Sequence, residues 1–195
     1  PPKTGTNKNP HGALKEGDTP SWFYFYLNGL NVPARPDYGG WGGRYAYNGS
    51  FWQDVADTID GHTSGRTTVY RWRPHFQNDF AARMDWCVKN FKEANHAPVA
   101  KVRGDLLRYV KPGQTVTLSA TATDPDGDEL TYKWWQYADA DSVEAAVTIT
   151  NSDSSNQASF VVPDEPGKLV HIILEVTDEG NPPLVGYQRI VCNIR

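Results

Sequence analysis

The second half of the chain alternates apolar and polar residues over short stretches that end in turn signals. From residue 97 onward Val, Thr, Ile and Leu recur at every second position, and Pro-Gly, Asp-Gly and Gly-Asn-Pro-Pro sequences separate the stretches. A period of two residues is typical of a β-strand with one buried face. The pattern predicts strands at residues 98–103, 114–122, 130–137, 146–150, 157–162, 168–177 and 185–194. Seven short strands at this spacing are typical of an immunoglobulin-like β-sandwich over residues 97–195.

Two adjacent tryptophans distinguish the faces of the third predicted strand. The two-residue period places Trp134 on one face and Trp135, together with Tyr137, on the other. Trp134 is therefore predicted to lie in the core. Trp135 and Tyr137 point outward, where either a neighbouring domain covers them or they form a surface that contacts carbohydrate.

The first half is rich in aromatic residues and has a different pattern. Residues 1–96 hold five of the seven tryptophans, six of the ten tyrosines and six of the seven phenylalanines. Apolar residues spaced by three and four predict one helix over residues 74–95. This stripe consists of Phe76, Phe80, Met84, Val88 and Phe91. The run at residues 22–27 is compatible with a helix or a buried strand, and the Asn95-His96-Ala97-Pro98 sequence predicts a domain boundary.

Length, charge and cysteine content narrow the classes of function. A chain of 195 residues allows two domains, and a net charge of -4 provides no basic face for nucleic acid or an anionic membrane. No apolar run is long enough to span a bilayer, and the N-terminus lacks the apolar core of a signal peptide. Cys87 and Cys192 fall in different predicted domains, so we expect two buried, unpaired residues in preference to a disulfide or a zinc site.

An acidic loop at residues 123–129 places four carboxylates within six residues and has a glycine at the turn. Oxygen ligands at alternate positions resemble a calcium loop, although the alternative is an acidic turn that hydrogen-bonds its own backbone. Sandwich topology brings the turn at residues 177–183 to the same end as this loop. The sequence therefore predicts a calcium site at the domain junction. Its ligands in this domain would be Asp124, Asp126, Asp128 and Asp178.

A second candidate site is the loop at residues 36–47, in which aromatic residues alternate with glycines. Glycine permits close approach of the backbone to a ligand, and aromatic rings stack on the C–H faces of sugars. We predict that Tyr38 and Trp41 stack on polysaccharide and that Arg44 and Asp37 orient it. The alternative is a loop whose rings fold back onto their own domain.

The sequence contains no Gly-x-Ser-x-Gly, His-Glu-x-x-His or phosphate-binding glycine loop. Sequence spacing therefore names no catalytic residue. We expect the chain by itself to be non-catalytic.

The motifs at residues 15–21, 38–44 and 95–98 together resemble those of one known family. This family consists of bacterial cellulose-binding proteins in which a nucleoside-hydrolase-like domain precedes an immunoglobulin-like C-terminal domain. The resemblance implies an α+β chain in which residues 1–96 are the C-terminal portion of an α/β nucleoside-hydrolase-like domain and residues 97–195 are the β-sandwich. It also implies a bacterial protein that is secreted, periplasmic or bound to the cell surface.

The resemblance leaves two functions open. The first is a carbohydrate-binding protein, or a fragment of one, for cellulose or a related polysaccharide. The second is the C-terminal part of a calcium-dependent glycoside or nucleoside hydrolase that is inactive without its upstream half, which would then be a partner. In that reading Asp18 is the last calcium ligand, but Gly17 stands where nucleoside hydrolases have histidine. A sandwich that serves only as a spacer is a third possibility.

Overall fold

The computed structural model describes residues 19–153 and 155–195. Asp18, predicted to bind calcium, lies outside the described residues. The α-helices are α1 (Thr19–Phe23), α2 (Thr67–Tyr70) and α3 (Arg73–Trp86). The strands are β1 (Tyr45–Tyr47), β2 (Trp52–Asp54), β3 (Asp57–Ile59), β4 (His62–Ser64), β5 (Val99–Val102), β6 (Leu107–Val110), β7 (Thr115–Thr123), β8 (Leu130–Gln136), β9 (Gln157–Val161), β10 (Leu169–Asp178) and β11 (Val185–Ile194).

The second half of the chain forms two sheets around a shared apolar core. One sheet has the order β6-β11-β10-β8 and the other has the order β5-β7-β9. Side chains from both sheets, including Trp134, Leu118 and Phe160, meet in this core. The predicted β-rich second half and the core position of Trp134 are therefore confirmed. The immunoglobulin-like class of the sandwich and the boundary at residue 96 stay predictions.

Strand prediction failed at two places. Residues 146–150 form only an isolated bridge, between Thr150 and Ser159 of β9. The backbone N–H of Val147 donates to the side chain of Gln136 at 2.6 Å instead of to a neighbouring strand. Strand β6 was not predicted, since its side chains are mostly exposed and lack the expected apolar alternation. It pairs parallel to the end of β11.

Strand β10 is buried on both faces. Its Val170, Ile172, Leu174 and Val176 enter the core between the sheets. Ile173 enters a second cluster, formed with aromatic residues of the first half. A strand that is covered on both sides usually has a nearly continuous apolar sequence, and β10 has such a sequence.

The first half is attached to the sheet edge through the backbone near Gly29. The N–H of Arg189 in β11 donates to the carbonyl of Gly29 at 3.1 Å, and the N–H of Tyr187 donates to Asn28 at 3.3 Å. Gly29 has a φ of +86°, and a β-carbon there would lie 2.0 Å from the carbonyl oxygen of Tyr187. Glycine is therefore required at this contact.

The predicted helix is present but shorter, and most of its apolar stripe is exposed, although Phe76 packs against the second cluster. Helix α3 ends at Trp86, and the buried positions on it are Asp79 and Ala82. The stripe residues Phe80, Met84 and Val88 are exposed. Cys87 is also exposed, which corrects the prediction that both cysteines are buried, although neither forms a disulfide. None of the described helices has the length and apolar character needed to cross a membrane.

Candidate functional site

The two rings predicted to stack on sugar pack into the protein instead. Trp41 is 2% exposed and Tyr38 is 8% exposed. The Trp41 ring meets Phe23 edge-on, and its indole N–H donates to the hydroxyl of Tyr187 at 3.3 Å. The Tyr38 ring lies edge-on to His171, with 4.3 Å between ring centroids. Neither ring offers an open face to a sugar in this structure, so the stacking surface predicted there is not exposed.

The two charged residues predicted to orient sugar are engaged in ion pairs. Asp37 pairs with Arg35, and its Oδ1 accepts from Nε of Arg35 at 2.8 Å. Arg44 donates from Nε to Oδ1 of Asp57 at 2.7 Å. Both groups therefore hold the loop in place within the described chain.

Asp57 is fully buried and lies at the centre of a network of charged side chains. Its Oδ2 accepts hydrogen bonds from Arg71 and from the hydroxyl of Tyr137, both at 2.7 Å. Arg71 also pairs with Asp139 at 2.9 Å. One carboxylate thus accepts hydrogen bonds from two guanidinium groups and a phenol, and the network joins the start of β3 to the residue that follows β8. Burial raises the pKa of Tyr137, so its hydroxyl remains a donor.

The outer face of β8 is covered by the first half of the chain. Tyr137 is fully buried, and Trp135 packs against the same cluster as Trp72 and Tyr187. The Trp72 and Trp135 rings lie 5.8 Å apart. Of the two outward-facing possibilities, a covering neighbour is the one that the structure shows.

The buried guanidinium of Arg189 lies beneath this cover, and no carboxylate of the described residues forms an ion pair with it. The guanidinium of Arg189 donates to the carbonyl oxygens of Leu30 at 3.0 Å and Gly39 at 2.8 Å, and to Nδ1 of His171 at 3.1 Å. Burial, reinforced by Arg189, lowers the pKa of His171 to about 3, so the imidazole is neutral and accepts this hydrogen bond. The contact fixes the loop at residues 36–47, called the glycine-rich loop, to the sheet.

The acidic end of the sheets brings together most of the predicted calcium ligands. Asp178 is buried and accepts hydrogen bonds from the Asn95 amide at 3.1 Å and from two backbone N–H groups. Asp124 accepts the backbone N–H groups of Asp126 and Asp128, at 2.8 and 3.1 Å. Asp126 accepts the backbone N–H of His96 at 2.7 Å. Asp178, Asp124 and Asp126 each accept N–H groups, but Oδ2 of Asp124 is buried and has no hydrogen-bond partner among the described residues.

The described residues include no group of three or more His, Cys, Asp or Glu side chains that could hold a metal ion. Calcium requires several oxygen ligands that point at one centre, whereas most of the carboxylate oxygens described above accept N–H groups. A calcium ion at this junction therefore stays a prediction of the sequence.

Melting in calcium and in chelator tests this point. Because N–H groups already occupy most of the carboxylate oxygens described above, we expect the melting temperature to be equal in millimolar calcium and in chelator. An ion bound only to the folded chain would raise it by mass action. A calcium-dependent rise that Asp178→Asn abolishes would restore the predicted site.

Exposed aromatic rings occur instead on the hairpin of residues 45–54, here called the aromatic hairpin. Tyr47 is 57% exposed, Phe51 is 60% exposed and Trp52 is 47% exposed. The Tyr47 and Trp52 rings lie 5.5 Å apart with an angle of 50° between their planes. Tyr47, Phe51 and Trp52, called the hairpin rings, belong to neither apolar core. Three exposed rings within six residues form an apolar surface of the kind that contacts a partner.

The hairpin has a defined turn and a defined face. The Oδ1 of Asn48 accepts the N–H groups of Ser50 and Phe51, both at 3.0 Å, and Gly49 has a φ of +99°. Tyr47 lies directly opposite Trp52, and Tyr45 lies opposite Asp54. Opposed residues in an antiparallel pair share a face, and so do residues two apart in a strand. Tyr45, Tyr47, Trp52 and Asp54 therefore lie on one face.

The sequence contained a signal for this hairpin that our interpretation missed. Asn48-Gly49 lies between two short aromatic stretches, and an Asn-Gly pair flanked by such residues indicates a β-hairpin. The sugar-binding site was predicted at residues 36–47 instead, because that loop has more glycines. The loop also overlaps the first strand of the hairpin.

Comparison with known proteins gives two family matches. Residues 10–45 match the nucleoside hydrolase-like domain of cellulose-binding protein Sde182, and residues 115–194 match the C-terminal domain of cellulose-binding protein Sde0182. The predicted resemblance to the C-terminal part of this family is therefore confirmed. The hairpin rings lie between the matched stretches. No curated protein matches the chain.

One solved structure is similar over most of the chain. It is a nucleoside hydrolase-related hypothetical protein from Saccharophagus degradans that is associated with carbohydrate metabolism, with 35% identity and a TM-score of 0.79. The alignment covers 93% of this chain and 48% of that protein, so the chain spans about half of its length. The PKD domain from KIAA 1837 protein aligns at 16% identity, over 52% of this chain and 92% of that one. Its TM-score of 0.36 is too low to indicate a common fold.

Proposed function

We propose that this chain, which matches two successive domain models of a cellulose-binding family, binds polysaccharide through the hairpin rings. The observation that carries the proposal is the exposure of Tyr47, Phe51 and Trp52 on one short hairpin. Aromatic faces stack on the C–H faces of sugar rings, and Tyr and Trp combine a large apolar area with few rotatable bonds.

The anchoring of the hairpin supports this assignment. Arg44 precedes β1, and its ion pair with the fully buried Asp57 ties the base of the hairpin to the protein interior. The carbonyl of Arg44 also accepts the N–H of Val55, at 3.4 Å. Rings that are held before the ligand arrives lose less conformational entropy on binding, which favours affinity.

The exposed side chains of Phe80 and Met84 on α3 provide a weaker surface for sugar. Neither makes a ring contact among the described residues. The hairpin rings form a contact of their own and border polar residues. This combination of an apolar face with adjacent polar groups is the usual composition of a ligand site.

The proposed ligand is cellulose or a related glucan, and the proposed location is outside the bacterial cytoplasm. Both follow from the family that the chain resembles. A hydrolase role, with calcium as its cofactor, is not supported by the comparisons. The upstream half of a longer protein as a partner stays a prediction.

Binding to insoluble cellulose tests the proposal. We expect the 195-residue chain to be depleted from solution by cellulose, and Trp52→Ala to weaken this binding about ten-fold, as loss of a central aromatic anchor does. The matched control is Trp22→Ala, because Trp22 is 54% exposed but lies outside the hairpin. Equal retention of both variants and the wild type would remove the hairpin from the site. No retention on any glucan would favour the spacer alternative.

A further inference from the structure

An open cavity of about 430 Å³ lies beside the aromatic hairpin. The hairpin supplies Tyr45 and Asp54 to its wall, and the segment at residues 64–69 supplies Ser64 and Arg66. A cavity of this volume lies within the range of small-ligand pockets. Its lining combines one aromatic ring with several hydrogen-bonding side chains.

The register of the hairpin makes this cavity continuous with the hairpin rings. Tyr45 and Asp54 are one opposed pair, and Tyr47 and Trp52 are the opposed pair two residues further along the same face. Two residues of a strand advance by about 7 Å. A ligand stacked on the ring pair therefore extends along the strand direction into the cavity.

Two charged side chains in the cavity are available to a ligand. Within the described residues neither Asp54 nor Arg66 forms a side-chain hydrogen bond or an ion pair, and both residues are exposed. Tyr45 lies close to Asp54, since burial and the Asp54 carboxylate together raise the pKa of the Tyr45 phenol. The three groups offer one acceptor of hydrogen bonds, one donor and one ring.

This set of groups selects a neutral ligand with hydroxyl groups. A hydroxyl donates to a carboxylate and accepts from a guanidinium, so adjacent hydroxyls on one sugar can satisfy both groups. A carboxylated sugar would meet the like charge of Asp54, and an aminated sugar would meet that of Arg66. Because Asp54 and Arg66 do not pair with each other in the free protein, a ligand can bind to both without breaking an ion pair.

We propose that the cavity lined by Tyr45, Asp54 and Arg66 is a second sugar subsite, which holds a neutral pyranose unit adjacent to the unit stacked on Tyr47 and Trp52. This inference rests on the proposed function, because it needs a polysaccharide on the hairpin rings. The chain then binds at least two consecutive sugar units. Stacking supplies attraction at the first, and hydrogen bonds to Asp54 and Arg66 supply selectivity at the second.

Titration calorimetry with cellohexaose tests the subsite. We expect Asp54→Asn and Arg66→Gln each to weaken binding about ten-fold, which is typical for a hydrogen bond to a charged group. Because both residues are exposed, their variants should have the same melting temperature as the wild type. The matched control is Asp60→Asn, since Asp60 is exposed on the neighbouring hairpin but does not line the cavity. The double variant should lose less than the product of the single losses, because both groups hold the same unit.

The outcomes separate this subsite from the binding function itself. If Trp52→Ala weakens binding but Asp54→Asn and Arg66→Gln bind like the wild type, the subsite is wrong and the hairpin function stands. In a parallel titration with an oligogalacturonate, tighter binding than that of cellohexaose, weakened by Arg66→Gln and strengthened by Asp54→Asn, would show that the subsite takes an anionic unit and would overturn the proposal of a neutral one. If the wild type binds neither cellohexaose nor insoluble cellulose, both proposals fail.

Discussion

Replacing Asp57 by asparagine should lower the melting temperature of the chain by about 10 °C, which corresponds to a loss of about 3–5 kcal/mol in the free energy of unfolding. The Asp57 side chain is fully buried and receives Arg44, Arg71 and the hydroxyl of Tyr137. An amide keeps the shape of the side chain but removes its charge. Two guanidinium groups then lose their shared counter-ion, and the amide NH₂ group faces one of them.

Asp60→Asn is the control for this experiment. Asp60 is exposed and has a φ of +51°, a conformation that asparagine also tolerates, so thermal denaturation should show little change. Asp57→Asn should also weaken polysaccharide binding, because Arg44 anchors the base of the aromatic hairpin. A loss of less than about 1 kcal/mol in Asp57→Asn would contradict the role of the network in holding the two halves together.

Trp41→Ala should destabilise the chain by about 3–5 kcal/mol, as truncation of a buried aromatic residue does. The Trp41 ring contacts Phe23, Tyr26, Phe76 and Tyr187 in the cluster between the first half and the sheet. Removing it leaves a cavity and also removes the donor to the Tyr187 hydroxyl. Urea denaturation followed by circular dichroism measures the loss.

Trp52→Ala is the matched substitution on the surface. Its side chain is outside both cores, so the expected change in the free energy of unfolding is below about 1 kcal/mol, whereas its affinity for cellulose should fall. Comparison of Trp41→Ala with Trp52→Ala therefore separates an effect on stability from an effect on binding. The reverse result, in which Trp41→Ala folds with wild-type stability but fails to bind, would return the sugar site to the glycine-rich loop.

Most strands of the second half were predictable because each buries one face in the core between the two sheets, and β10, which is buried on both faces, has the nearly continuous apolar sequence expected of such a strand. Alternation placed Trp134 inside and Trp135 outside, and both positions are as expected. The pattern is a local consequence of the two-residue period, which does not depend on what covers the outer face. Strand β6 escaped prediction because an edge strand with exposed side chains needs no apolar alternation.

The first half was less predictable because its burial depends on contacts with distant parts of the chain. Periodicity identified helix α3 but not its buried side, since the stripe of Phe80, Met84 and Val88 is exposed. The glycine-rich loop was interpreted as a surface for the same reason. Rings and glycines indicate close packing, but the sequence alone does not tell whether the partner is a ligand or the β8-β10-β11 face of the protein itself.

The proposed site depends on a hairpin that a local signal could have identified. Asn48-Gly49 predicts a turn, but a two-residue loop at this pair would place Tyr47 opposite Ser50. The loop in the structure has four residues, at 48–51, and it places Tyr47 opposite Trp52. The cavity beside it was beyond prediction, because Asp54 and Arg66 come from different segments whose approach is set by the network around Asp57.

The most direct measurement is an NMR titration that follows the indole N–H signals of the seven tryptophans as cellohexaose is added. The signal of Trp52 is assigned by its disappearance in Trp52→Phe. If polysaccharide stacks on the hairpin rings, the Trp52 signal should shift with ligand concentration, while the signals of the buried Trp72 and Trp134 should stay in place. An unchanged Trp52 signal at concentrations that saturate binding, or shifts confined to other tryptophans, would contradict the proposed site.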